Sequence, residues 1–170
     1  MATKTKWLID ATHSEINFKV KHMMISNVTG HFEKFDGYVE TDSFKDAEFS
    51  FVAEIDSINT KNEQRDTHLK SDEFFDAATH PQLKFVSKSF DGSNLTGDLT
   101  IKGVTKEVTL DTDFNGIAVD PYGQTKAGFE LQGSINRKDF GLTWSAVTEA
   151  GNVVVSDSIK LIADIQFIKQ

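Results

Sequence analysis

Arg65, Asp66 and His68 fall within four residues of one another in the stretch SINTKNEQRDTHLKSDEFFDAATHP, residues 57–81. A guanidinium offers two parallel donors to a phosphate or carboxylate, and a carboxylate beside an imidazole offers acid–base chemistry. The spacing predicts a helix from about residue 61, running to 71 and at most to 76. On it, Arg65 and Leu69 share a face at i and i+4, whereas Asp66 and His68 do not meet face to face. Two readings of the cluster follow. It forms a polar collar that recognises a ligand head group such as a pyrophosphate, or it pins the helix to its support through ion pairs in which Arg65 or Arg137 joins Asp66 or Asp139. The second is preferred, because a partly buried arginine is costly unless a carboxylate satisfies it.

Five histidines (His13, His22, His31, His68 and His80) raise the question of a metal, but none stands at an H-x-x-x-H or H-E-x-x-H spacing, so no metal site is expected. His22 differs from the rest in continuing the apolar face of Ile16, Phe18 and Val20, where its ring could offer one polar contact to a ligand head. With no cysteine, thiolate catalysis and disulfides are excluded. No G-x-S-x-G elbow, phosphate-cradling loop or dinucleotide fingerprint is present, so no catalytic residue and no cofactor are assigned. The enzymatic alternative is a reaction on an isoprenoid or fatty-acyl lipid with His22, or Asp66 with His68, as acid–base groups.

These residues need a scaffold, and the rest of the chain alternates with a period of two. Ile16, Phe18 and Val20 oppose Glu15, Asn17 and Lys19. Phe49, Phe51, Ala53 and Ile55 oppose Glu48, Ser50, Glu54 and Asp56 in the clearest strand. Further strands are predicted near Trp7, through Phe35, Gly37 and Val39, from Leu83 and Phe85, and through Leu95, Gly97, Leu99 and Ile101. Others run through Val104 to Phe114, Ala127 to Ile135, around Val153, and Ile159 to Phe167. His22 to Val28 reads as a turn or short helix, with Gly30 as the bend back into a strand. Lys102-Gly103 and Asp120-Pro121-Tyr122-Gly123 read as tight turns. Roughly eight to ten antiparallel strands at hairpin spacing close into a barrel or fold into a sandwich.

Two features favour a barrel with a cavity. Large phenylalanines share the apolar faces with Gly37, Ala53, Gly97, Ala127, Gly133 and Ala163, a mixture that suits a lumen. There are 14 Phe against two Tyr and two Trp, and a phenylalanine wall suits an apolar ligand because it carries no polar group needing a partner.

The 170 residues fit one domain, with no linker-like run. A net charge of −8 repels nucleic acid phosphates and gives no attraction to anionic lipid headgroups, and no apolar run is long enough for a membrane span. The start MATKTKWLID carries no secretory signal, which makes the cytoplasm the expected location, or the periplasm if a leader has been removed.

Several motifs in order resemble the YceI family. They are WLIDATHSEINFKVKHMMISNVTG at residues 7–30, Ser57-Ile58-x-Thr60, Arg65-Asp66-x-His68-Leu69, Phe74-Phe75-Asp76, His80-Pro81, Leu99 to Lys106, and Arg137-Lys138-Asp139-Phe140-Gly141. The resemblance implies an all-β, single antiparallel lipocalin-like barrel with a short helical insertion. It also implies a non-enzymatic role in binding, transport or storage of a long-chain apolar lipid, a polyisoprenoid or prenylated quinone, inside the barrel. A homodimer is compatible with it, through isologous pairing of exposed strands. From alternation, Phe18, Val20, Phe35, Phe49, Phe51, Phe85, Leu99, Leu110, Phe129, Leu131 and Phe167 are expected to line the tube. Phe74, Phe75, Phe140 and Trp144 are expected nearer an opening.

Overall fold

Strands form over the stretches where side chains alternate with a period of two, and β3 begins three residues before that pattern resumes. The computed structural model describes residues 5–23, 25–41, 44, 47–143 and 155–170. Within them the strands are β1 (Lys6–Ile9), β2 (Glu15–His22), β3 (Ser26–Phe32), β4 (Phe35–Glu40), β5 (Glu48–Glu54), β6 (Ile58–Asn59), β7 (Gln82–Phe90), β8 (Asn94–Ile101), β9 (Val104–Val119), β10 (Thr125–Asn136) and β11 (Val155–Lys169). The helix α1 spans Glu63–Lys70. No helix among the described residues is long and apolar enough to cross a membrane.

All pairing is antiparallel, and six of the strands behave as three interrupted ones. β1 and β2 both pair with β11 (Leu8 with Ile168, Phe18 with Leu161), separated by a 3₁₀ turn at Ala11–His13. β4 and β3 lie along them in turn, Trp7 opposite Val39 and Phe18 opposite Gly30. β5 and β6 follow, Gly37 opposite Phe51 and Phe32 opposite Ile58. Hairpins then carry the wall through β7, β8, β9, β10 and β11, and the β1–β11 pairing closes it. The result is an eight-stranded closed barrel. An eight-stranded barrel has an interior just wide enough for side chains to fill or for one small ligand.

The wall parts at one place. β5 pairs with β7 only as far as Glu54 opposite Gln82, after which Ile55–Ser57 turn away and β6 follows β3 instead. Residues 60–81, with α1, span the wedge left between β6 and β7. Asn62 caps α1 by accepting from the Arg65 N–H at 3.0 Å, and Lys61 has a φ of 63°, so the helix starts two residues later than the spacing predicts and stops at Lys70. Residues 71–76 continue as turns that bury Phe74 and Phe75.

Two other sequence expectations change. Of the turn or short helix expected over His22 to Val28, the Ile25 N–H closes a turn onto the His22 carbonyl at 3.2 Å, but Ser26 to Val28 already belong to β3, and Gly30 lies inside β3 rather than at a bend. Its missing side chain accommodates the Phe18 ring, whose Cζ would lie 2.3 Å from an added Cβ. The glycines of the inner face do not mark empty space either. At Gly37, Gly97 and Gly133 the side chains of Phe51, Phe85 and Leu110 lie over the bare backbone, 2.7–2.8 Å from where a Cβ would stand. The predicted strand around Val153 and the position of Trp144 lie outside the described residues.

The interior is divided along the axis. At the end carrying Trp7 and Phe44, rings mesh edge to face: Phe49 and Phe129 with centroids 5.4 Å apart at 89°, Phe129 and Phe167 at 5.8 Å and 77°, Trp7 and Phe44 at 5.0 Å and 62°. Such contacts add roughly 0.5–1.5 kcal/mol per pair beyond the area they bury. This end is a solid aromatic plug. The free space lies toward the other end, beneath α1 and the β2–β3 turn.

Candidate functional site: a line of apolar cavities

Three cavities adjoin one another between that turn and the barrel centre. The outermost, the mouth cavity, is about 170 Å³ and is bounded by Phe18, Val20, Lys21, His22 and Val28 from β2 and β3, Arg65, His68 and Leu69 from α1, and Thr60, Phe74 and Val155. Lys21 is exposed and His22, Arg65 and His68 are half-buried, which makes this the cavity nearest the surface of the three. The middle cavity, about 70 Å³, shares Phe18, Val20, Leu69, Phe74 and Val155 with it and adds Phe32, Phe75, Leu83, Ile101, Ile135, Arg137, Leu142, Ile159 and Leu161. The deep cavity, about 90 Å³, shares Phe32, Leu83 and Leu161 with the middle one and continues to Ile16, Phe51, Phe85, Leu99, Val108, Leu110, Leu131 and Ala163. Each neighbouring pair of cavities is thus bordered by common side chains.

The deep and middle cavities are almost wholly hydrocarbon-lined, Asn17 and Arg137 being the polar residues on their walls among the described residues. Water held in such a space would lack the two to four polar partners it needs, so an apolar guest is favoured over solvent. Among the expected lining residues, Phe18, Val20, His22, Phe51, Phe85, Leu99, Leu110 and Leu131 border these cavities, as do Phe74 and Phe75.

Phe49, Phe129 and Phe167 do not border them. They point inward but sit in the aromatic plug, each 1% exposed or less. Phe35 packs half-buried at the core's edge and borders a surface groove with Glu15, Thr29 and His31. Phe140 is 1% exposed within a 3₁₀ turn at Arg137–Phe140 and borders none of the three cavities, so it is not at an opening. Alternation distinguishes inside from outside but not depth along the axis, and depth separates plug from cavity. Ile16, Leu83, Leu161 and Ala163 were readable from the same alternation and missed. Phe32 was hidden by the misread segment before it.

The ion pairs expected of the arginines are not those found. Arg65 donates through Nε to Thr60 Oγ1 at 2.8 Å and through Nη2 to the Thr60 carbonyl at 2.6 Å, and no carboxylate among the described residues pairs with it. Asp66 Oδ1 instead accepts from the Thr60 N–H at 2.9 Å and the Thr60 hydroxyl at 2.5 Å. Thr60, 3% exposed, therefore stands between the two charges. His68 Nε2 is paired with Glu73 and is not hydrogen-bonded to Asp66, so the geometry contains no Asp66–His68 dyad.

Arg137, 1% exposed, reaches the Leu142 carbonyl through Nη1 at 2.6 Å and the Ser156 carbonyl through Nε at 3.0 Å, with the carboxylate of Asp157 at 3.7 Å. Asp139 is exposed and is not its partner. Burial lowers the Arg137 pKa and Asp157 opposes the shift. The arginine ties Leu142, shortly after β10, to the start of β11.

Of the other histidines, His13 contacts Asp10 at 2.8 Å, His31 lies 3.7 Å from Glu33, and His80 covers the Lys102–Gly103 turn. Among the described residues no cluster of three His, Cys, Asp or Glu could hold a metal ion. A further polar network away from the mouth joins Asp10 to Lys126, 2.8 Å apart and both largely buried, with Asp120 at 3.5 Å from the same ammonium.

This architecture recurs in known proteins. A UPF0312 protein of Staphylococcus aureus (strain MSSA476) is 40% identical over 166 residues, covering 96% of this chain and 97% of its own. The YCEI protein of Campylobacter jejuni superposes with a TM-score of 0.74 at 34% identity, over 88% of this chain and 90% of that one. A polyisoprenoid binding domain from Saccharophagus degradans shares the fold, with a TM-score of 0.70 at 18% identity over 96% of this chain and 98% of that one. Residues 7–167 match the YceI-like domain from its first strand to its last, and the chain belongs to that family.

Proposed function

We propose that the protein binds a long-chain apolar lipid, a polyisoprenoid or prenylated quinone, with its tail inside the barrel, and carries or stores it without altering it. The observation that carries this reading is the row of three adjoining cavities from α1 to the barrel centre, of which the middle and deep ones are lined almost wholly by hydrocarbon. The S. degradans domain of the same fold is a polyisoprenoid binding domain, which supports the same ligand class.

Burial of each CH₂ is worth about 0.8 kcal/mol, and this free energy is opposed by the cost of ordering the chain. Phe32, Leu83 and Leu161 form the partition between the middle and deep cavities, and a tail threads past them by rotating those side chains. A non-enzymatic role agrees with the way Asp66 and His68 are engaged by Thr60 and Glu73 rather than by each other.

Native mass spectrometry of the purified protein tests the proposal. The expected spectrum shows a retained lipid whose mass names tail length and head group together. If the protein stripped of lipid neither retains nor takes up geranylgeraniol at micromolar concentration, the proposal fails. Turnover of any bound lipid that disappears in His22→Ala would replace it with the enzymatic reading.

A further inference from the structure

Beyond Thr112 the strand β9 loses its neighbour on one side. β8 pairs with it only from Val104 opposite Ile101 to Asp111 opposite Asn94, and the Thr112 N–H ends the ladder on the Ser93 carbonyl at 2.7 Å. From Asp113 to Val119, β9 pairs with β10 alone, and among the described residues nothing pairs with its other edge. A bulge at Asn115 shifts the inward-facing set from Phe114, opposite Phe129, to Ile117, opposite Ala127, and Val119. Phe114 stacks on Phe44 and Phe129 at the plug, and the strand continues past it to Ile117 and Val119, which are 54% and 66% exposed. Free strand edges are commonly blunted by lysine or proline, and the run DFNGIAV at residues 113–119 contains neither. An unpaired edge with apolar side chains on one face is a template for an added strand.

The charges beside the edge select its occupant. Asp113, Glu130, Asp164 and Glu15 stand directly opposite one another across β9, β10, β11 and β2, all exposed, and Asp111 flanks the row on β9. Among the described residues Lys126 and Lys138 pair with Asp10, Asp120 and Asp157, and no cation pairs with this row. Like charges directly opposite on a sheet destabilise it. A second copy added at this edge would bring the same uncompensated acids to the joint, whereas a basic strand would relieve them.

We infer that the β9 edge from Asp113 to Val119, at the end of the barrel away from α1, is a docking site for an extended basic segment of a partner protein, which adds as a strand beside β9. Ile117 and Val119 take its apolar side chains on one face. Asp113 takes a lysine or arginine on the other, with Asp111 and Glu130 adding to the attraction. This edge borders none of the three cavities, so the inference stands apart from lipid binding.

Two peptides of about nine residues test it on the full-length protein, one alternating Lys with Val and the other Glu with Val. The Lys–Val peptide is expected to bind at least about tenfold more tightly at low salt, with the gap narrowing as salt is raised. In its presence, hydrogen exchange should slow at residues 113–119 and stay unchanged in α1. Replacing Asp111→Lys together with Asp113→Lys should reverse the preference, with a urea midpoint at or above that of wild type because the row loses its repulsion. Ile117→Thr should weaken both peptides by at least about threefold.

Equal affinity for the two peptides, or no binding of the Lys–Val peptide, would overturn the inference. So would slowed exchange at α1 in place of residues 113–119, or a preference that survives the double lysine substitution. A wild-type protein that sediments as a dimer and becomes monomeric in Ile117→Lys would assign the edge to a second copy and overturn it too.

Discussion

A glycine in this wall is a seat for its neighbour's side chain, and that makes single-residue outcomes divergent. At Gly97 an added Cβ would lie 2.5 Å from the Val86 carbonyl oxygen and 2.8 Å from the Ser87 Cα, both backbone atoms that cannot turn aside. At Gly128 its nearest neighbour would be the Asn115 Cβ at an ordinary 3.7 Å. Gly97→Ala should therefore cost about 1–3 kcal/mol in urea unfolding, as overpacking does. Gly128→Ala should stay within about 0.5 kcal/mol of wild type. Asp10 gives a second residue-level outcome. Burial acts to raise its pKa, but hydrogen bonds from Lys126, Thr12 and His13 outweigh burial and hold the carboxyl well below the usual carboxylate range. A carboxyl depressed in the folded state contributes stability above its unfolded pKa of about 3.9, and that contribution is lost as the pH falls below that value. Asp10→Asn should consequently be less stable than wild type at neutral pH. The two unfolding curves should converge as the solution is acidified from pH 4 downward, measured as urea midpoints against pH.

Among the elements, α1 contrasts with the strands around it. Its sequence EQRDTHLK has Leu69 as its one apolar side chain and no fully buried residue; the segment is anchored by Phe74 and Phe75 beyond its end and by the Thr60–Asp66 bonds before its middle. A helix held this way opens locally at far lower cost than the barrel unfolds. Its amides should exchange with deuterium well before those of β10 and β11, which pair over eleven positions. Asn62→Ala removes the N-cap and should destabilise α1 by about 1 kcal/mol. The change is expected as faster exchange confined to Glu63–Lys70, with the global urea midpoint nearly unmoved. Since α1 supplies Arg65, His68 and Leu69 to the mouth cavity, the same substitution should speed release of a bound lipid.

For the molecule as a whole, the asymmetric interior sets capacity. One end is closed by the aromatic plug and the other is spanned by α1, so the proposed function has a tail entering from one side, with its length limited by the deep cavity. Ala163 borders that cavity, opposite Leu131 and Ile16 in the flanking strands. Ala163→Leu adds side chain to a void rather than to a packed region, so the ligand-free barrel should be as stable as wild type or slightly more so. In a titration with prenyl alcohols of increasing length, the variant's affinity should stop rising at a shorter chain than wild type's. An unchanged length profile would place the tail elsewhere.

Alternation and turn chemistry determined where the strands lie. The Glu15–His22 and Glu48–Glu54 strands, the Lys102–Gly103 turn and the Asp120–Gly123 turn are local consequences of side-chain period and backbone preference. Ordered motifs such as Arg65-Asp66-x-His68-Leu69 located the helical insertion and the family. Only the tertiary structure decided that Phe49, Phe129 and Phe167 mesh into a plug while Phe51, Phe85 and Leu110 border a cavity, since all six face inward. It also decided that Arg137 meets Asp157 across a loop and that Arg65 meets Thr60 rather than a carboxylate. The physical reason is common to these cases. A period of two tells which face of the sheet a residue occupies, whereas its height along the axis and the partner it meets depend on strand tilt, stagger and closure, which arise only when distant strands pair.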